Sequence, residues 1–352
     1  MNKKIIYNCH CHTFTHENIP NRYFPFFLVP ITRIALFRWL LRVIMKAFIP
    51  WKDNDTVQRY SAFIKAAYRK TQEENLKYLT GYYPEKTKFI VLPMDMAYMG
   101  AGKVIEDIDE QHAELARISK KPEYINTLIP FAHIDPRRKD ALNRLKILVE
   151  NDNFKGVKIY PTLGYSPDDE VLMSEIYPYM VKKNIPLMTH CSPGSVNSKD
   201  ITRSEAHAFA DPYNYRIVMD IFPELRICLA HFGGVSEWRR HINEPKDPKN
   251  PTWLAKIQKL IKCGKYPNLY TDISYTIFNY HENFSLLNIL LEDDKITDKI
   301  LFGSDFYMVE SEKYSERRLS TDLRSALGEG KFWKIANINP KSYLGLSECT
   351  AD

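Results

Sequence analysis

This chain has no closely spaced cysteine pairs of the kind that bind structural zinc. Its six cysteines, at positions 9, 11, 191, 228, 263 and 349, form no C-x-x-C pair. A zinc ribbon or disulfide framework is therefore not expected, and reduced thiols in a cytoplasmic protein are the simpler reading. No uncharged apolar run reaches the ~18–20 residues that a membrane-spanning helix needs. The basic start Met1-Asn2-Lys3-Lys4 leads almost directly into a polar motif, which leaves too little room for a signal-peptide core. Dense basic runs are also missing. A formal net charge of +6 over 352 residues is mild, so nucleic acid is not an expected partner, although anionic small molecules are compatible. With no low-complexity tract or linker, residues 1–352 are expected to form one domain.

Strand-like and helix-like runs alternate along the chain. Apolar runs read as strands at Lys4–His12, Lys88–Asp95, Asn126–Ile134, Phe154–Tyr160, Ile185–His190, Leu225–His231, Asn268–Ser274 and Lys299–Asp305. Helical patterns separate them, for example Ile105–Lys120 and Asp168–Lys183. Eight such units with buried strands predict an α/β fold, a (β/α)8 TIM barrel. An aromatic-rich insertion, residues 19–50, follows the first strand. Its middle, Ile31–Phe48, reads as a helix with Arg38, Arg42 and Lys46 in one cationic stripe. A lid or dimer contact over the barrel mouth is the favoured reading, and contact with a membrane or a partner is the alternative.

The chemistry is concentrated where the strands end. In Asn8-Cys9-His10-Cys11-His12 the alternation of a strand puts His10 and His12 on one face, where they can converge on a divalent cation. Cys9 and Cys11 are expected on the other face, against the helices. Lys158, His190, His231 and Asp305 also stand where apolar runs stop, and in a barrel those stops meet at one mouth. Histidines and an aspartate gathered in this way are hard to explain as packing. His133 ends the third strand and is open to a site or a structural role. Tyr7, Tyr160 and Tyr275 read as packing residues, and His16, His112, His207, His241 and His281 as loop or surface residues.

Five motifs carry a resemblance. They are Asn8-Cys9-His10-Cys11-His12, Gly156-Val157-Lys158-Ile159-Tyr160-Pro161, Ile185-Pro186-Leu187-Met188-Thr189-His190, Leu229-Ala230-His231-Phe232-Gly233-Gly234 and Leu301-Phe302-Gly303-Ser304-Asp305. In this order, with Ala336-Asn337-Ile338-Asn339-Pro340 near the end, the chain resembles the amidohydrolase superfamily. Within it, the similarity is to the amidohydrolase-related branch, which mixes hydrolases with decarboxylases. The resemblance implies that His10, His12, His190 and Asp305 ligate one divalent metal, with zinc expected and manganese the alternative. It also implies that Asp305 handles a proton and that His231 polarises the substrate. Lys158 stands where binuclear relatives carry a carboxylated lysine, and is taken here as a substrate-anion contact. Two positions depart from the family pattern. Asn8 replaces an acidic residue, and Phe306-Tyr307 replaces an aromatic residue followed by proline.

A cation held by three imidazoles and one carboxylate can lower the pKa of a bound water from ~16 towards ~7. The expected activity is therefore hydrolysis of a small, carboxylate-bearing substrate such as a lactone or amide. Non-oxidative decarboxylation of an unsaturated or aromatic acid is the alternative, since it uses the same ligand set. A membrane- or partner-binding protein on a former enzyme scaffold is the third reading. Arg239 is the leading candidate to clamp a substrate carboxylate, with Arg240, Arg137 and Arg138 also near mouth loops. A homo-oligomer is the expected assembly.

Overall fold

The apolar runs become short parallel strands: β1 (Tyr7–Cys11), β2 (Lys88–Val91), β3 (Leu128–Pro130), β4 (Ala132–His133), β5 (Val157–Ile159), β6 (Leu187–Thr189), β7 (Ile227–Leu229), β8 (Leu269–Asp272) and β9 (Ile300–Leu301). The structure is a computed structural model. It describes residues 4–23, 29–30, 34, 36–37, 39–40, 69–194, 196–278, 280–306 and 315–346. Two parallel sheets run β1-β2-β3 and β4-β5-β6-β7-β8-β9. The strands β3 and β4 are one expected strand, divided at Phe131.

Backbone hydrogen bonds carry the ring across both gaps. Phe131 donates to the Val91 carbonyl at 3.1 Å, while Ala132 donates to the Gly156 carbonyl at 2.9 Å. On the other side Cys9 donates to Phe302 O and Asp305 donates to His10 O, each at 2.8 Å. A parallel bridge between Cys11 and Phe306 completes the contact. Eight strand segments thus close into a barrel, as the alternation predicts.

Helices cover the outside because their apolar stripes need the sheet to bury them. Helix Ile108–Ser119 begins with a capping box between Asp107 and Glu110. An inner cluster that includes Cys9, Ile90, Phe131, Met188, Cys228 and Leu301 fills the barrel below its mouth. Tyr343, from the short helix Asn339–Leu344, joins that cluster. Asn339 fixes this helix by donating to the carbonyls of Thr297 and Ile300.

One expectation about β1 is corrected. Cys9 belongs to the inner cluster, not to the helix-facing side, whereas Cys11 packs in the outer core. The register against β2 slips between Asn8 and Cys11. Such a bulge breaks strict alternation, so residues on both sides of it can face inward. The proposed helical stripe of Arg38, Arg42 and Lys46 lies outside the described residues. Of the described insertion residues, Ile34, Leu36, Phe37, Trp39 and Leu40 are exposed. No helix among the described residues is long and apolar enough to cross a membrane.

Candidate active site

The first strand delivers two imidazoles whose tautomers are fixed by their neighbours. His12 Nδ1 lies 2.7 Å from the Leu92 carbonyl. A carbonyl only accepts, so that nitrogen carries the proton and Nε2 is left with its lone pair. His10 Nδ1 sits 2.9 Å from Asp272 Oδ2, which leaves Nε2 bare in the same way. Both bare nitrogens face Asp305: Oδ1 is 3.0 Å from His12 Nε2 and 3.5 Å from His10 Nε2. Gly303 lets the last strand come this close, because a Cβ there would lie 2.9 Å from His10 Cβ.

Electrostatics hold these groups in ligand form. Burial, reinforced by Lys158, pushes His10 down to about 3 against the pull of Asp272 and Asp305. Although burial pushes the Asp305 carboxyl up, it lies below its usual value and is a carboxylate. His10 Nε2, His190 Nε2 and Asp305 Oδ1 are all buried without a hydrogen-bond partner among the described residues. Acceptors turned toward one another with no donor between them are costly in a protein interior. A divalent cation resolves that arrangement, and nitrogen and carboxylate oxygen are the ligands zinc takes. The His10, His12 and Asp305 ligand atoms lie within 4.8 Å of one another. The residues present therefore fit a metal.

His190 ends β6, and its Nδ1 lies 3.2 Å from His231 Nε2. His231 Nδ1 lies 2.9 Å from Ser274 Oγ and 3.2 Å from the Ser274 carbonyl, so its proton sits there. Its Nε2 then accepts from His190 Nδ1, which leaves His190 Nε2 as a bare donor atom for a cation. Burial lowers both imidazoles from their usual value, so both stay neutral. His231 and Asp305 hold left-handed backbone, with φ 69° and 63°, a costly conformation for a side-chain-bearing residue. Local contacts secure His231: its N–H donates to Asp272 Oδ1 at 3.0 Å, and Thr276 Oγ1 donates to its carbonyl at 2.9 Å.

Asp272 is the residue that the reading of strand ends missed. It accepts from His10, from the His231 amide and from the Ser274 amide and hydroxyl. Burial pushes its carboxyl up, yet His10 and His231 outweigh that and hold it well below the usual carboxylate range. The signal was available, since Asp272 is an acid inside the seventh apolar run, near its end. Asn8 points away from the bare nitrogens: it donates to Ser304 Oγ at 2.9 Å and to Tyr83 Oη at 3.1 Å, tying β1 to the last strand.

The arginines are already committed. Arg239 sits at the surface with Nε and Nη2 on Glu282, at 2.8 and 3.0 Å, and is not brought to the site. Arg240 binds Glu237, Arg137 binds Asp135, and Arg138 binds Asp95. The nearby acids decide this, and they are not visible in strand spacing. Two histidines expected at the surface, His16 and His112, are buried. Lys158, by contrast, is wholly buried on the inner face, where burial pushes its pKa down to about 8.

A parallel barrel with an imidazole–carboxylate cluster at the C-terminal ends of its strands defines a class of metal-dependent enzyme. The family model described as amidohydrolase matches residues 7–346, and the chain belongs to that family. The chain is thus a metal-dependent enzyme of the amidohydrolase superfamily. No curated protein matches it. Among solved structures, 2,6-dihydroxybenzoate decarboxylase bound to 2,6-dihydroxybenzoate is 16% identical, with 98% of this chain and 100% of that one covered and a TM-score of 0.58. A 5-carboxyvanillate decarboxylase from Novosphingobium aromaticivorans, complexed with manganese and a nitrobenzoic acid, is 12% identical over 97% and 96% of the two chains, with a TM-score of 0.55. The 4-oxalomesaconate hydratase of Rhodopseudomonas palustris is 15% identical over 97% and 96%, with a TM-score of 0.56. At these identities the likeness establishes the barrel fold.

Proposed function

We propose that this chain is a hydrolase that uses an activated water on a small, carboxylate-bearing substrate such as a lactone or amide. His10, His12 and Asp305, whose ligand atoms cluster, would hold one divalent ion together with His190, zinc by the nitrogen-rich ligand set or manganese as in the decarboxylase neighbour. When bound, that ion supplies Lewis acidity and brings the pKa of water towards ~7. The observation that carries the reading is the buried cluster of His10 Nε2, His12 Nε2 and ionised Asp305 Oδ1, ligand atoms within 4.8 Å of one another.

The chain's own groups do the rest. Asp305, kept as a carboxylate, accepts the proton of the attacking water and returns it to the leaving group. Neutral His231 orients His190 through the 3.2 Å contact and stands beside His10, with ring centroids 4.8 Å apart. Its part is to hold the His190 ring in position beside the reacting groups. Lys158 supplies a cation below the reacting groups. Non-oxidative decarboxylation of an aromatic or unsaturated acid is the second reading, supported by the decarboxylases among the structural neighbours.

The deciding experiment supplies lactones, amides and aromatic acids to metal-loaded protein and follows both carbon dioxide and acid release. Ring opening or amide cleavage without carbon dioxide supports hydrolysis, and carbon dioxide from an aromatic acid moves the assignment to the second reading. His190→Ala and Asp305→Ala are expected to lose metal and turnover. Full metal content in both would overturn the ligand assignment.

A further inference from the structure

Beside the bare acceptors lies a second group of unpaired polar atoms, of the opposite kind. Lys158 Nζ, Tyr160 Oη and His133 Nε2 are buried and have no hydrogen-bond partner among the described residues. All three are donors. His133 Nδ1 accepts the Asp95 amide at 2.9 Å, so the ring proton is at Nε2. Lys158 pairs in register with His133 on one side and with Met188, of the inner cluster, on the other. Neighbours in parallel register share a face, so Lys158 and His133 both point into the barrel. Tyr160 follows two residues later, just past the end of β5.

The rings confirm the arrangement. Tyr160 stacks between His133 and His190, with centroids 5.2 and 5.7 Å away and interplanar angles of 21° in both cases. Lys158 Nζ lies 5.0 Å from the Tyr160 centroid. The donor group is therefore contiguous with the proposed ligand His190. Folded proteins pair nearly all buried donors, and three left open together call for an acceptor brought in from outside. A group that only accepts, and does so several times, is an oxygen anion.

We propose that His133, Tyr160 and Lys158 form a recognition pocket for a carboxylate of the substrate, adjoining the place where its bond reacts beside His10 and Asp305. The inference deepens the proposed function and rests on that reading for the reacting end. It adds Tyr160 and His133 as specificity-determining residues and directs the search toward substrates bearing a second acidic group.

The test titrates isophthalate and glutarate, one rigid and one flexible dicarboxylate, into manganese-loaded protein by calorimetry. Tyr160→Phe preserves the stacked ring and removes only the hydroxyl. It is expected to weaken the tighter of the two ligands about ten- to a hundredfold. Manganese stoichiometry should stay at the wild-type value, and the melting temperature should hold or rise because an unpaired buried hydroxyl is gone. Lys158→Met should weaken the same ligand. Affinity within about twofold of wild type in Tyr160→Phe, or no binding of either dicarboxylate by wild type, overturns the pocket. Failure of the proposed function looks different: wild-type protein would not hold manganese, while dicarboxylate binding would still depend on Tyr160.

Discussion

Asp272 holds His10 from behind, with Oδ2 2.9 Å from the imidazole Nδ1 while the opposite nitrogen faces Asp305. The carboxylate fixes the tautomer, orients the ring and raises the basicity of Nε2 toward a cation. Asp272→Asn is expected to lower metal affinity about 10- to 100-fold with the fold intact. Competition against a chelator measures this, and wild-type affinity would remove Asp272 from the support of the site.

His231 is not among the proposed ligands, so its loss should separate binding from chemistry. In His231→Ala the metal stoichiometry is expected to remain at the wild-type level while turnover falls roughly 100-fold, as for loss of a group that positions the reacting site. Elemental analysis and turnover on one preparation decide the matter. Undiminished turnover would rule out a catalytic part for His231.

Lys158 should cost the protein stability. Burial lowers its pKa to about 8 from 10.5. A depressed lysine penalises the folded state fully below about pH 8, and the penalty disappears above the unfolded value. Lys158→Met should therefore raise stability at pH 7 by on the order of 3 kcal/mol, with the gain vanishing by roughly pH 10–11. Urea unfolding at both pH values tests the sign. A destabilised variant at pH 7 would show that Lys158 has a structural partner.

Acid should unfold the protein through imidazoles away from the ligand cluster. Burial, joined by His133 and two arginines, lowers His112 to about 3, and burial lowers His133 to about 4 against Asp95 and Asp135. Both bind protons in the unfolded chain near 6.5. The stability they contribute is intact above that value and is lost as pH falls toward 4 and 3. Each adds up to about 1.4 kcal/mol per pH unit to the slope. His112→Gln should flatten the decline of the urea midpoint between pH 6 and 4.5, and an unchanged slope would contradict the assignment.

Much of the site was legible because a barrel strand ends in one place. An apolar run that stops at His10, His190 or Asp305 fixes which end of the strand carries polarity, and parallel topology brings those ends together. Arg239 shows the limit of that logic. Its position in the chain is near the mouth, but Glu282, 43 residues away, takes both of its hydrogen bonds. Cys9 shows another limit, since one slipped register turned an expected outward thiol inward.

From sequence alone, then, came the eight-strand order, the family and the residues at the strand ends, because hydrophobic periodicity and terminal polarity are local properties. Folding alone decided which lone pairs were left bare. The Leu92 carbonyl and the Asp272 and Ser274 groups assign the protons on His12, His10 and His231. The donors of His133, Tyr160 and Lys158 stay open for a comparable reason, because no acceptor among the described residues reaches them. Tautomer and hydrogen-bond vacancy depend on contacts between distant segments, and no spacing along a chain encodes them.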